Sequence, residues 1–179
     1  GEAVRSLGFM PTFNALALIG NAALAKTTTY NGSTWNNGTP ASNDIVIITG
    51  GSYTLPANIT YTSLTLNGGN FSTGGRTFGV TTVTLTSGTF TGSANQTFGG
   101  TLTVNGGSYT LGSATRTLTV GNISVTSSTL TLPSNLTVNT TMTLNGGSLD
   151  INGRTVTVNN ITLTNGTLTL GGTNISPSG

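Results

Sequence analysis

One ten-residue phrase recurs along this chain and limits its fold more than any other feature. It reads "LTLNGGNFST" from Leu64 to Thr73, "LTVNGGSYTL" from Leu102 to Leu111 and "MTLNGGSLDI" from Met142 to Ile151. Looser copies bring the set to seven, beginning at Val46, Leu64, Val83, Leu102, Ile123, Met142 and Ile161, with spacings of 18, 19, 19, 21, 19 and 19 residues. A period of this length marks a solenoid, in which each repeat buries its apolar face only against its neighbours. Within a copy, as in "VTLTSGTFT" and "ITLTNGTLT", apolar and polar residues alternate, which is the pattern of a half-buried strand. The "NGG", "TSG" and "TNG" between them tolerate positive φ at a corner.

A second apolar pair precedes most copies: Ile59/Tyr61, Phe78/Val80, Leu118/Val120 and Val156/Val158. Each period therefore holds about three short strands and three corners, and helical periodicity is absent after residue 26. The spacing predicts an all-β, single-domain parallel β-helix (solenoid) with about 19 residues per coil over residues 45–179. A lead-in over residues 27–44 and an apolar N-terminal segment over residues 1–26, read as helical, precede it. Stacking would place Leu64/Val83/Leu102/Ile123/Met142/Ile161 in one inward column and Tyr53/Phe71/Phe90/Tyr109/Leu130/Leu149/Leu168 in another.

The "NGG" coils alternate with "TSG", "TSS" and "TNG" coils, so the unit is two coils. Counting back seven residues from each next copy gives Ala57, Arg76, Asn95, Arg116, Asn135 and Arg154. Arg thus falls on every second coil, where like charges sit about 9.6 Å apart instead of on adjacent strands. That spacing is close to the Debye length of about 8–10 Å and keeps repulsion small.

Composition excludes several functions. Charged residues are 4% of the chain, against about 25% in an ordinary globular protein. The net charge is +2 with no Lys/Arg cluster, which disfavours nucleic acid as a partner. There is no Cys and no His, so disulfides, thiolate metal sites and a Ser-His-Asp triad are excluded. The carboxylates are Glu2, Asp44 and Asp150, with no pair that must converge, although a folded tail could bring Glu2 toward Asp44. General acid–base catalysis and calcium binding both need more than this. No catalytic, cofactor or metal residue is predicted, and the protein is read as not an enzyme.

The ends differ from the middle. Leu7 to Ala25 carry no charge, which is long enough for a marginal membrane span, though Pro11, Asn14, Gly20 and Asn21 weaken one. Arg5 followed by an apolar stretch and "ALA" at 23–25 also resembles a signal peptide. If retained, the segment caps the open end of its own solenoid or inserts against a neighbouring subunit. The second role assigns Phe9, Met10, Phe13, Leu16, Leu18 and Ile19 as assembly contacts, with membrane association only before assembly. After Leu170, "GGTNISPSG" offers no helix or charged strand to close the last edge. An uncovered edge is a template for another chain, and a head-to-tail contact that does not close makes a filament.

The lead-in "TTTYNGSTWNNGTPASNDIVI" carries Tyr30, Asn31, Gly32, Trp35, Asn37, Gly38, Pro40 and Asp44. In these residues, and more loosely in the repeat, the chain resembles the β-solenoid repeat regions of secreted bacterial surface and fibre proteins. The resemblance implies extracellular display at the cell surface, adhesion or fibre formation. Tyr30 and Trp35 either stack on glycans or cover the first coil. A Thr-rich face (Thr65, Thr84, Thr103, Ser124, Thr143, Thr162) also resembles ice-binding β-solenoids, but the other faces are as rich in Thr, which has good β propensity. The expected function is a structural subunit of an extracellular filament, with copies of itself as partner. A glycan-binding adhesin module is the alternative, and ice binding comes after it.

Overall fold

In the computed structural model, residues 25–171 and 175–177 are described. They form sixteen strands and no helix. The longer strands are β1 (Thr27–Tyr30), β2 (Ile45–Ile48), β4 (Ile59–Asn67), β6 (Phe78–Ser87), β8 (Gln96–Val104), β10 (Thr117–Val125), β12 (Asn135–Leu144), β14 (Val156–Leu163) and β16 (Ile175–Pro177). They build a nine-stranded sheet in that order. Three-residue strands lie between them: β3 (Ser52–Thr54), β5 (Asn70–Ser72), β7 (Thr89–Thr91), β9 (Ser108–Thr110), β11 (Thr129–Thr131), β13 (Ser148–Asp150) and β15 (Thr167–Thr169). All the ladders are parallel, and each links a coil to the next. The chain is a parallel β-solenoid of about 8 turns with about 19 residues per turn. The expected helix over residues 1–26 falls almost wholly outside the described residues. The lead-in joins the stack, since Thr28 pairs with Val46 and Tyr30 with Ile48.

Each coil has two strands where the apolar spacing suggests three. Ile59/Tyr61 and Leu64/Leu66 share one bent strand, β4, and the same holds in later coils. The bend is where alternation breaks: Thr62 and Ser63 both avoid the core, and Leu64 resumes it. In β8 and β12 the bend has one more residue, at Gly99–Thr101 and Asn139–Thr141, and the ladders shift register there.

The core columns form in register. Val46, Leu64, Val83, Leu102, Ile123, Met142 and Ile161 pair in succession. All but Ile161 are buried. Tyr53, Phe71, Phe90 and Tyr109 form the second column, with Phe71 and Phe90 stacked at 5.6 Å between centroids. A further inward column runs Leu55, Thr73, Gly92, Leu111, Leu132 and Ile151, all buried. Thr73 and Gly92 hide it from a search for apolar periodicity. At Gly92 the space is already taken, because a Cβ would lie 2.9 Å from Leu111 Cδ2 and 3.5 Å from Phe90 Cε1.

The second column breaks once. Leu130, Leu149 and Leu168 pair with one another, but the short strands split into two sheets, and β9 does not pair with β11. The residues two before each short strand's centre are Gly51, Gly69, Gly88, Gly107, Ser128, Gly147 and Gly166. These positions meet the preceding coil's backbone: a Cβ on Gly107 would lie 2.9 Å from the Gly88 carbonyl oxygen. Ser128, at φ 64°, is the one member with a side chain, and the ladder is lost at that step. Across the gap, Ser134 Oγ donates to Tyr109 Oη at 3.3 Å. Burial pushes the Tyr109 phenol up to about 12, with the Ser134 bond opposing. Ser128→Gly is therefore expected to join the two sheets, relieve a left-handed serine and add about 1 kcal/mol. Slower amide exchange at Thr129–Thr131 checks it, and unchanged exchange there would contradict it.

Candidate functional site

The two ends of the stack differ, and the N-terminal end is closed. Asp44 is buried, and its Oδ2 accepts from Lys26 Nζ at 2.6 Å and from the Ala41 N–H at 2.7 Å. Its Oδ1 accepts from the Lys26 N–H at 3.0 Å. Burial alone would raise this carboxyl. The hydrogen bonds from Lys26 and Ala41, with the Lys26 charge, outweigh burial and hold it below the ordinary carboxylate value. The pair is one period apart in sequence, so it ties the first coil to the second. A depressed carboxyl contributes stability that is complete above its unfolded value of about 3.9 and is lost as pH falls through the folded value below it. Acidification below about pH 4 is expected to fray the first coil before the rest. Amide exchange at Thr27–Tyr30 measured against pH checks this, and the acid sensitivity disappears in Asp44→Asn.

Residues 31–38 fold back over the outer edge of β1. Asn36 N–H donates to the Thr29 carbonyl at 3.0 Å, and Asn36 Oδ1 accepts the Thr29 N–H at 2.9 Å. Asn37 Nδ2 donates to the Thr27 carbonyl at 3.1 Å, and Thr28 Oγ1 donates to the Gly38 carbonyl at 2.6 Å. Tyr30 and Trp35 form an antiparallel bridge. The strap thus occupies backbone groups that an edge strand otherwise presents to another chain. Asn36 and Asn37 thus bond to the neighbouring strand, while Asn31 Oδ1 stays within the turn, accepting the Ser33 and Thr34 N–H groups at 2.9 Å.

The structure brings Tyr30 and Trp35 together. Their centroids are 5.0 Å apart, and Trp35 meets the half-buried Tyr53 edge-on at 4.8 Å. Trp35 continues the Tyr53/Phe71/Phe90 column by one coil, so much of its surface covers the core end. Both rings stay part-exposed. Phe9, Met10, Phe13, Leu16, Leu18 and Ile19 lie outside the described residues.

The far end is open among the described residues. β16 pairs with Val156–Val158 of β14, and β14 has no further partner toward Leu163. Ile161 (40% exposed), Leu163 (55%) and Leu170 (47%) hold core-column positions that the coils before them bury.

The Arg and Asn positions form two adjacent columns rather than the single one expected from counting. Thr117 pairs with Asn135, so Arg116 faces Ser134. The extra bend residue in β8 and β12 moves the count by one. Asn58, Asn95 and Asn135 then have a role: their Oδ1 atoms accept the N–H of Thr77 at 2.9 Å, Thr117 at 3.0 Å and Thr155 at 2.9 Å. Each bond joins a coil of one kind to a coil of the other, which gives the two-coil unit a physical basis.

The described carboxylates, Asp44 and Asp150, are several coils apart, and no group of three potential metal-ligating side chains occurs among the described residues. Together the fold and these surfaces define a parallel β-solenoid with, among the described residues, one bonded end and one open end. Comparison with known families, with curated proteins and with solved structures gives no match.

Proposed function

We propose that the chain is a non-enzymatic structural subunit that assembles with copies of itself into an extracellular filament or surface fibre. The observation that carries this reading is the open coil, where Ile161, Leu163 and Leu170 expose positions that are core elsewhere in the stack. Covering three such side chains removes apolar area from water at about 25 cal/mol per Å². The strap on β1 argues against simple strand-on-strand pairing at the other end. The junction is therefore assigned to the apolar residues Phe9, Met10, Phe13, Leu16, Leu18 and Ile19 of a neighbouring copy, which need no free backbone edge.

Removing residues 1–24 is expected to convert a sedimenting polymer into a monomer with unchanged β-sheet circular dichroism. Ordered fibres from the truncated protein would rule the segment out as the assembly element. A glycan-binding role rests on the part-exposed Tyr30 and Trp35. Trp35→Ala separates the readings, because it abolishes retention on a glycan array under the second and spares polymerisation under the first.

A further inference from the structure

Three of the chain's few charges share one corner of the solenoid. Arg76, Arg116 and Arg154 sit on long corners, "GGRT", "GSATRT" and "NGRT", on every second coil. In each, the Arg N–H closes the turn onto a carbonyl three residues back: Thr73, Ser113 and Ile151. The coils between have the shorter corners "PAN", "SAN" and "PSN". A longer corner stands out past a shorter one, so a short corner between two long ones is recessed.

At Ser93–Asn95 this recess is a notch. It is a cavity of about 340 Å³ whose lining includes Arg76, Thr73, Thr77, Ser93, Asn95 and Thr97. Arg76 stands exposed on one side. Arg116, on the next long corner and outside that lining, donates from Nη1 to the Ser93 carbonyl. The next short corner, Pro133–Asn135, lies between the corners that carry Arg116 and Arg154. There Arg154 is part-exposed, and its Nε–H is buried without an acceptor. The one ion pair among the described residues, Lys26–Asp44, is at the N-terminal end of the stack. Among the described residues Asp150 is the only acid near the stripe, and its Oδ1 already accepts the Asn152 N–H at 2.9 Å.

We propose that this corner binds a linear acidic polysaccharide, one carboxylate or sulfate per two coils. The step between successive Arg side chains is about 9.6 Å from the strand spacing, which suits a polymer charged on alternate sugars. Guanidinium groups pair with such anions in bidentate fashion. Hydroxyl and amide side chains between the cations match sugar hydroxyls. Phe78, the aromatic residue lining the notch, is buried, so the corner offers no ring for stacking a nucleobase. This goes beyond the assembly reading and does not depend on it.

The test uses the full chain on immobilised hyaluronan, which carries one carboxylate per disaccharide. Retention is expected in low salt, weakening roughly tenfold between about 50 and 200 mM salt. The triple variant R76Q/R116Q/R154Q should lose it. Because Arg116 also bonds to the Leu111 carbonyl, at 3.1 Å, its loss could disturb the fold. Arg76→Gln alone, at an exposed side chain, is the second variant: it should weaken binding two- to threefold with an unchanged melting temperature. No retention of the parent protein in low salt overturns the proposal, and so does equal retention of the triple variant. Polyglutamate holding the protein as well as hyaluronan does would overturn the saccharide assignment.

Discussion

Gly88→Ala is expected to destabilise the solenoid by more than about 4 kcal/mol, the range reserved for a few severe mechanisms. Gly88 has φ +99°, and a Cβ there would run into the Gly69 carbonyl oxygen of the preceding coil. The obstacle is backbone, so no rotamer change relieves it. The two coils must separate, which breaks the ladder between β5 and β7 and opens the core beside Phe71 and Phe90. Gly75 provides the control, since it has φ +81° and nothing within 4 Å of its Cβ position. Gly75→Ala meets only the left-handed strain of about 1–2 kcal/mol. Equal loss of stability in the two variants, measured by denaturant unfolding, would show that close stacking of coils is not what the glycine column protects.

Phe90→Ala is the second large effect. Phe90 is fully buried and touches aromatic rings on three coils: Phe71 at 5.6 Å, Phe78 at 6.0 Å and Phe98 at 5.2 Å. Truncation removes the transfer energy of the ring and leaves a cavity that a stacked backbone cannot close. The expected cost is about 3–5 kcal/mol, or a melting temperature lower by roughly 10 °C for a domain of this size. In a stack that contacts only nearest neighbours, the loss should weaken the coupling between its two halves. Exchange protection should then fall first at β7 and its neighbours. A uniform fall across all coils would contradict this one-dimensional account.

The main columns were legible because strand alternation is strict and the inward residues are large. Leu64, Val83 and Leu102, or Phe71, Phe90 and Tyr109, identify themselves at a period of 19. Three features were not legible, each for a local reason. The Leu55–Ile151 column passes through Thr73 and Gly92, which carry no apolar signal. The Arg and Asn columns were merged because one added bend residue in β8 and β12 shifts the count, and bend length is not visible in an apolar pattern. Lys26 falls in the N-terminal segment and Asp44 in the lead-in, and nothing local pairs them, although they are one period apart, the separation at which residues meet in a solenoid. At the candidate surfaces, Tyr30 and Trp35 stood out as aromatics in a chain with few. Their contact with Tyr53 needed the register, and the closed edge of β1 needed the targets of Asn36 and Asn37.

The work proposed for this chain is stacking, within one molecule and between copies. Oriented X-ray diffraction from this chain tests that most directly. Fibres should form, with a reflection at about 4.8 Å along the fibre axis, because the coils of every subunit stack along the direction of growth. A protein that stays monomeric at every concentration, or fibres with that reflection across the axis, would contradict it.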